Sequence, residues 1–147
     1  METYLVVTDD SDSTRELAKY AAQIAEPLGA ELIFGQFIDE DEYQTRIQRA
    51  ATTSRQVDSI EEAKEHAKEM AEEVAIEAVG DRDVSYRSVG VIDRMPRAIV
   101  EFANEEGCEQ IFISGERRSP TGKAIFGDQA QHVILNFDGF VTVNKSD

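Results

Sequence analysis

The chain has 147 residues, with 30 Asp and Glu against 15 Lys and Arg, for a formal net charge of -15 with both histidines neutral. That charge repels phosphate and anionic lipid, so a nucleic-acid or membrane-surface partner would need a basic patch working against the whole field, and neither is expected. With 41% hydrophobic residues in interspersed runs, the chain is expected to form one domain over residues 1–147 around a core, not a disordered acidic tail.

Residues 4–8 are apolar and β-branched and give way to Asp9, Asp10, Ser11, Asp12 and Ser13, the pattern of a buried strand and a turn. Ser13 stands three residues before Glu16, the spacing of a capping box, and Leu17, Ala21, Ile24 and Leu28 recur at helical steps until Gly29. A second strand is predicted over 31–38, and the acidic residues 39–42 open a polar connection. The longest helical pattern covers 54–79, with Val57, Ile60, Ala63, Ala67, Met70, Ala71, Val74 and Ala78 on one stripe. Glutamates, with Lys64 and Lys68 among them, form its solvated face, and Gly80 ends it.

Residues 83–89 alternate as a short strand, after which Gly90 and Met95-Pro96 set up a helix carrying Ile99, Phe102 and Ala103 and closed by Gly107. A strand over 110–114, a helix over 127–136 and a strand over 140–143 complete the order βαβαβαβαβ. Strands alternating with helices through short loops predict an α/β fold with a mostly parallel sheet covered on both faces.

In such a sheet, ligands bind at the carboxyl ends of strands, where the strand order reverses. Two loops qualify, residues 9–13 and residues 115–128. Between positions 117 and 127 the second holds Arg117, Arg118 and Lys123 and no acid, and Gly115, Gly122 and Gly127 flank or interrupt it. Glycines let backbone N–H groups approach an anion, and a helix N-terminus follows. The loop reads either as a phosphate cradle or as a surface loop whose arginines balance nearby glutamates. A Walker A loop is absent, because Gly122-Lys123 is followed by Ala124 and lacks the upstream glycine.

Residues 7–11 opening the first helix, Gly90-Val91, residues 111–115, the long glycine loop and the closing residues 140–143 together resemble the universal stress protein family over nearly the whole chain. The resemblance implies a three-layer α/β sandwich with five parallel strands in the order 3-2-1-4-5, the adenine nucleotide alpha hydrolase-like arrangement. It also implies a homodimer paired through Phe140, Val141, Thr142 and Val143, and an ATP or AMP site, with Mg2+ as a possible companion. Asp9 matches the acid that meets the adenine amine, and Ile38 the position whose backbone holds the other adenine edge. Ser114 and Gly115 match the ribose and adenine wall, while Arg117, Gly127, Asp128 and Gln129 match ribose and phosphate contacts. Arg118, Gly122 and Lys123 belong to the same loop, whose form is similar to that of members from salt-loving archaea.

The chain departs from the family pattern in four places, the first being Asp10 where the family usually has glycine. Arg118 replaces the second loop glycine, the following spacer is eight residues where nine are usual, and Asp128 replaces a hydroxyl residue. Asp128 with Gln131 resembles a capping box, which would put a carboxylate where phosphate otherwise sits. Two unit charges 4 Å apart cost about 4 kcal/mol at an effective dielectric of 20, about a thousandfold in affinity. Arg117, Arg118, Lys123, a divalent cation or high salt would offset this. The expected function is thus a stress-response nucleotide-binding regulatory module, with a same-fold interaction dimer that has lost nucleotide as the alternative.

An enzyme is not expected, and any ATP hydrolysis is expected to be weak. Asp10, Ser114, Lys123 and Asp128 superficially match a magnesium-dependent phosphatase series, but only 12 residues separate Ser114 from Gly127, too few for the helix and strand that series needs. No nucleophile, base and orienting acid come together, and Cys108, His66 and His132 form no zinc-ligand pattern. Cys108 is read as a small core residue, His66 as solvated and His132 as a surface or packing residue. With no long apolar segment and no signal peptide at residue 1, the expected compartment is the cytoplasm. The dispersed acidity fits a salt-rich, halophilic interior, where the Debye length falls to roughly 3 Å at 1 M.

Overall fold

The computed structural model describes residues 2–53, 59–115 and 127–145. Five parallel strands, β1 (Thr3–Thr8), β2 (Glu31–Asp39), β3 (Tyr86–Asp93), β4 (Gln110–Ser114) and β5 (Phe140–Asn144), form one sheet in the order β3-β2-β1-β4-β5. The helices are α1 (Asp12–Leu28), α2 (Glu40–Thr53), α3 (Ile60–Val79), α4 (Arg97–Glu105) and α5 (Asp128–Asn136). This is the α/β sandwich with the 3-2-1-4-5 order that the resemblance implies.

Strand alternation divides the core. Tyr4, Val6, Leu32, Phe34 and Phe112 face Leu17, Ala18, Ala21 and Ala25 of α1 and Ala71, Val74 and Ala75 of α3. Leu5, Val7, Ile33, Ile111 and Ile113 face Ile99 and Ala103 of α4 and Ala130 and Val133 of α5. Residues i and i+2 share a face, so an apolar run of five fills both layers.

Several expected boundaries move. Residues 39–42 do not open a connection: Glu40, Asp41 and Glu42 form the first turn of α2, where the helix dipole favours acids. The element order is therefore βαβααβαβαβ. Helix α3 begins at Ile60, not 54, because Ser59 and Glu62 form a reciprocal capping box; Val57 lies outside the described residues. Met70, expected on the buried stripe, is exposed, as is Leu28 at the end of α1. Strand β3 runs to Asp93, so Gly90 lies inside it and does not precede a helix.

Cys108 belongs to the core layer under α4. Burial, with Glu106 and Glu109 nearby, pushes its thiol up to about 11. At pH 7 roughly one such thiol in ten thousand is ionised. Iodoacetamide is therefore expected to alkylate the native chain about a hundredfold more slowly than the unfolded chain, read by intact-mass spectrometry over time, and equal rates would contradict this burial.

Candidate functional site

The sheet order reverses between β1 and β4, so the crevice at their carboxyl ends is where this architecture presents a ligand site. The loop after β1 is organised by Asp9, whose Oδ1 accepts hydrogen bonds from Ser11 N at 2.8 Å, Ser11 Oγ at 2.6 Å and Thr14 Oγ1 at 2.7 Å. Ser11 then caps α1, its Oγ accepting from Thr14 N at 3.1 Å. The cap is thus Ser11 and not Ser13: a short Asp two residues before a Ser closes a turn that aligns that Ser with the free N–H groups.

Ser13, released from capping, reaches across to β4, its Oγ 2.8 Å from Ser114 Oγ. Asn144 at the end of β5 donates from Nδ2 to Ser13 O at 3.0 Å and to Ser13 Oγ at 2.9 Å. Gly115 is buried and its N–H donates to Asn144 O at 3.1 Å. Ser114 and Gly115 are therefore tied to α1 and β5 through Ser13 and Asn144, at the same carboxyl edge as Asp9; the sequence motifs did not single out Asn144 and read Ser13 only as a cap. The local signal for Asn144 was a polar residue following the apolar Val143 at the end of the strand.

Ile38 is half-buried on β2, in register with Ile92, two residues beyond the Gln36 that pairs with Thr8. It stands at the same carboxyl edge, beside the β1 loop. Helix α5 connects the parallel strands β4 and β5, so it runs against them and its N-terminus returns to that edge, held by Ala130 and Val133 in the core. Gly127 is its N-cap, with no side-chain cap hydrogen bond. Asp128 is the first helical residue and makes no capping box with Gln131, whose N–H donates to the backbone O of Gly127. A carboxylate past the cap is carried outward, and Asp128 and Gln129 are both exposed. Arg117, Arg118, Gly122 and Lys123 lie outside the described residues.

Next to the crevice, a hollow of about 150 Å³ is lined by Asp9, Asp10, Arg15, Met70, Glu73, Val74 and Glu77. A more open hollow of about 450 Å³, lined by Lys19, Glu26 and Arg82 among others, lies at the C-terminal ends of α1 and α3, away from the carboxyl edge of the sheet. Among the described residues no grouping of three or more His, Cys, Asp or Glu is arranged to hold a metal ion. His132 is half-buried and sits 3.2 Å through Nδ1 from Asn136 Nδ2 on its own helix. No described helix is long and apolar enough to cross a membrane.

A family model described as the universal stress protein family matches residues 1–145. Among solved structures, the chain is similar to the hypothetical protein MJ0577, at 20% identity and a TM-score of 0.75 over 99% of this chain and 96% of the other. It is similar to a universal stress protein solved in complex with cAMP, at 21% identity and a TM-score of 0.67, over 99% and 98% of the two chains. It is also similar to the universal stress protein of Archaeoglobus fulgidus in complex with dAMP, at 18% identity and a TM-score of 0.60, over 97% and 96%. No curated protein sequence matched.

Proposed function

We propose that this chain, which belongs to the universal stress protein family, is a regulatory module that binds an adenine nucleotide, ATP or AMP, in the β1–β4 crevice. The observation that carries the proposal is the N-terminus of α5, which reaches the carboxyl edge without a side-chain cap. The N–H groups of its first turn, which have no partner within the helix, and the positive end of its dipole suit a phosphate. Asp9 keeps one carboxylate oxygen committed to its own loop and has Oδ2 for an amine donor. Ser114 and Gly115 supply the adjoining wall, and Ile38 the far edge. Relatives solved with cAMP and dAMP support the same chemistry.

Asp128 favours the second reading, an interaction dimer without nucleotide, because it brings negative charge into the first turn of α5. Its exposure weakens that objection. Near bulk-water dielectric, two charges at 4 Å cost about 1 kcal/mol, roughly fivefold in affinity, and not the far larger cost of a desolvated pair. The test is calorimetric titration with ATP and AMP, with and without Mg2+, in dilute buffer and in molar potassium chloride. Heat of binding is expected, and silence under every condition would sink the nucleotide reading. Asp128→Ser is expected to tighten ATP binding about fivefold in dilute buffer and hardly at all in molar salt, where screening acts within roughly 3 Å.

The proposed module acts as a homodimer through β5. That strand pairs only with β4 among the described residues, and Phe140 on it is 76% exposed. An open strand edge with an exposed aromatic is suited to a second copy of the same strand.

A further inference from the structure

The two edges of the sheet are defended differently. The β3 edge carries Arg87 and Asp93, and α3 lies against it at Gly90. The β5 edge has five residues without a charge or a proline, in a chain whose residues are 31% charged. Edge strands normally carry such residues to discourage pairing, so β5 is left fit for another strand.

The faces of β5 differ as well. Val141 and Val143 pack into the layer under α4 and α5, whereas Phe140, Thr142 and Asn144 belong to neither core layer. Thr142 is the register partner of Phe112, which faces α1, so these three stand on the α1 side of the sheet. Tyr20 overlooks that side. It lies two helical turns after Ser13, which touches Ser114 and Asn144, and so shares the flank of α1 nearest β4 and β5. Its ring meets Phe112 edge-on, with 6.5 Å between centroids, and the residue is still 49% exposed. Arg15 and Lys19, by contrast, reach Glu77 of α3 on the opposite flank.

The residues bordering β5 fit a second copy of the same strand. Exposed Asp138 precedes it and exposed Lys145 follows it, so two copies laid antiparallel bring the acid of each beside the base of the other, twice by symmetry. A two-fold axis normal to the sheet keeps both α1 faces on one side and sets residues of the same parity opposite one another. Pairing Phe140 with Thr142 then places the second copy's Phe140 one strand beyond Thr142, roughly 4.8 Å out and facing Tyr20 across it. Asp138 comes within one residue of the second copy's Lys145. Five strand residues fall short of the roughly 20 a side in a standard interface, so neighbouring surface has to join, and Tyr20 is the exposed aromatic beside the strand.

Resting on the β5 homodimer reading above, we propose that the interface extends from β5 onto α1, with Tyr20 of each copy packed on the second copy's Phe140.

Sedimentation equilibrium of the full chain and its variants tests this. Tyr20→Ser is expected to weaken dimerisation about tenfold, one aromatic contact being lost at each of two symmetric places, while Leu135→Ser, at an exposed apolar residue of α5, leaves it unchanged. Lys145→Glu is expected to weaken it severalfold in dilute buffer, and adding Asp138→Lys to Lys145→Glu to restore it. The chain has no tryptophan, so the emission of Tyr20→Trp is expected to shift to the blue as concentration rises through the dimer range. A Tyr20→Ser dimer as tight as the wild type, or no shift for Tyr20→Trp, overturns the proposal and leaves the β5 dimer standing. A loss at Leu135→Ser as large as at Tyr20→Ser moves the contact to α5 and overturns it as well. A charge swap that restores nothing overturns the antiparallel arrangement from which the contact follows. A monomer at every concentration removes the dimer reading and this proposal together. Should Tyr20→Ser fail to fold, Tyr20→Trp decides alone.

Discussion

Gly90→Ala is expected to lower the thermal unfolding midpoint by about 10 °C, from a loss near 3 kcal/mol for a chain of this size. An added Cβ would stand 2.2 Å from Lys64 O, 2.7 Å from Lys68 N and 2.8 Å from Ala67 Cβ. Two of those atoms are backbone, so relief requires α3 to lift from β3 as a body, away from the layer formed by Ala71, Val74 and Ala75. Gly35→Ala provides the contrast, since its nearest contact is the Phe37 ring at 2.9 Å, and a side chain can rotate where a helix backbone cannot. Its cost is expected to be smaller. Thermal unfolding followed by circular dichroism measures both, and equal midpoints for Gly90→Ala and the wild type would show that α3 does not approach β3 so closely.

Asp9→Ala is expected to cost about 2–3 kcal/mol of stability and to weaken nucleotide binding as well. The substitution removes the single oxygen on which three donors converge, and Thr14, fully buried, loses its side-chain acceptor. Ser11 would then hold the start of α1 without the turn that aims it. Asp9→Asn retains an oxygen at Oδ1 and is expected to recover most of the stability. Urea unfolding of the two variants separates the roles: equal losses would mean that the charge, and not the acceptor geometry, holds the loop.

Much of the fold was legible because buried parallel strands read as apolar runs. Residues 4–8 and 110–114 coincide closely with β1 and β4. Helix α2 was not read, although Tyr43, Ile47 and Ala50, all at least half-buried, stand at helical steps of four and three. The acids before them looked like a polar connection, when acids in a first turn also stabilise a helix. Gly90 looked like a breaker for a different reason. In a strand covered by a helix, a missing side chain is what permits close approach, and local sequence does not distinguish that use from a turn.

At the site, the sequence pointed to the two loops, to Asp9 and to the glycine-bounded start of α5. It placed the cap of α1 at Ser13, on capping-box spacing, where the structure has Ser11. Ser11 and Ser13 have similar local credentials, and the choice follows from Asp9 closing a turn on one and from Ser114 and Asn144 engaging the other. Asp128 likewise qualified as a cap by residue type, yet Gly127 takes that place and leaves the carboxylate one step outward in solvent.

The sequence by itself determined the alternation of strands and helices, the acidic surface and the family. Those properties are local or additive, carried by hydrophobic period, charge count and motif spacing. Only the tertiary structure decided that Ser13, Ser114 and Asn144 form one hydrogen-bonded cluster. Ser13 and Asn144 are 131 residues apart, and no local pattern encodes a contact that exists only because β4 and β5 are laid beside β1 in the reversed half of the sheet.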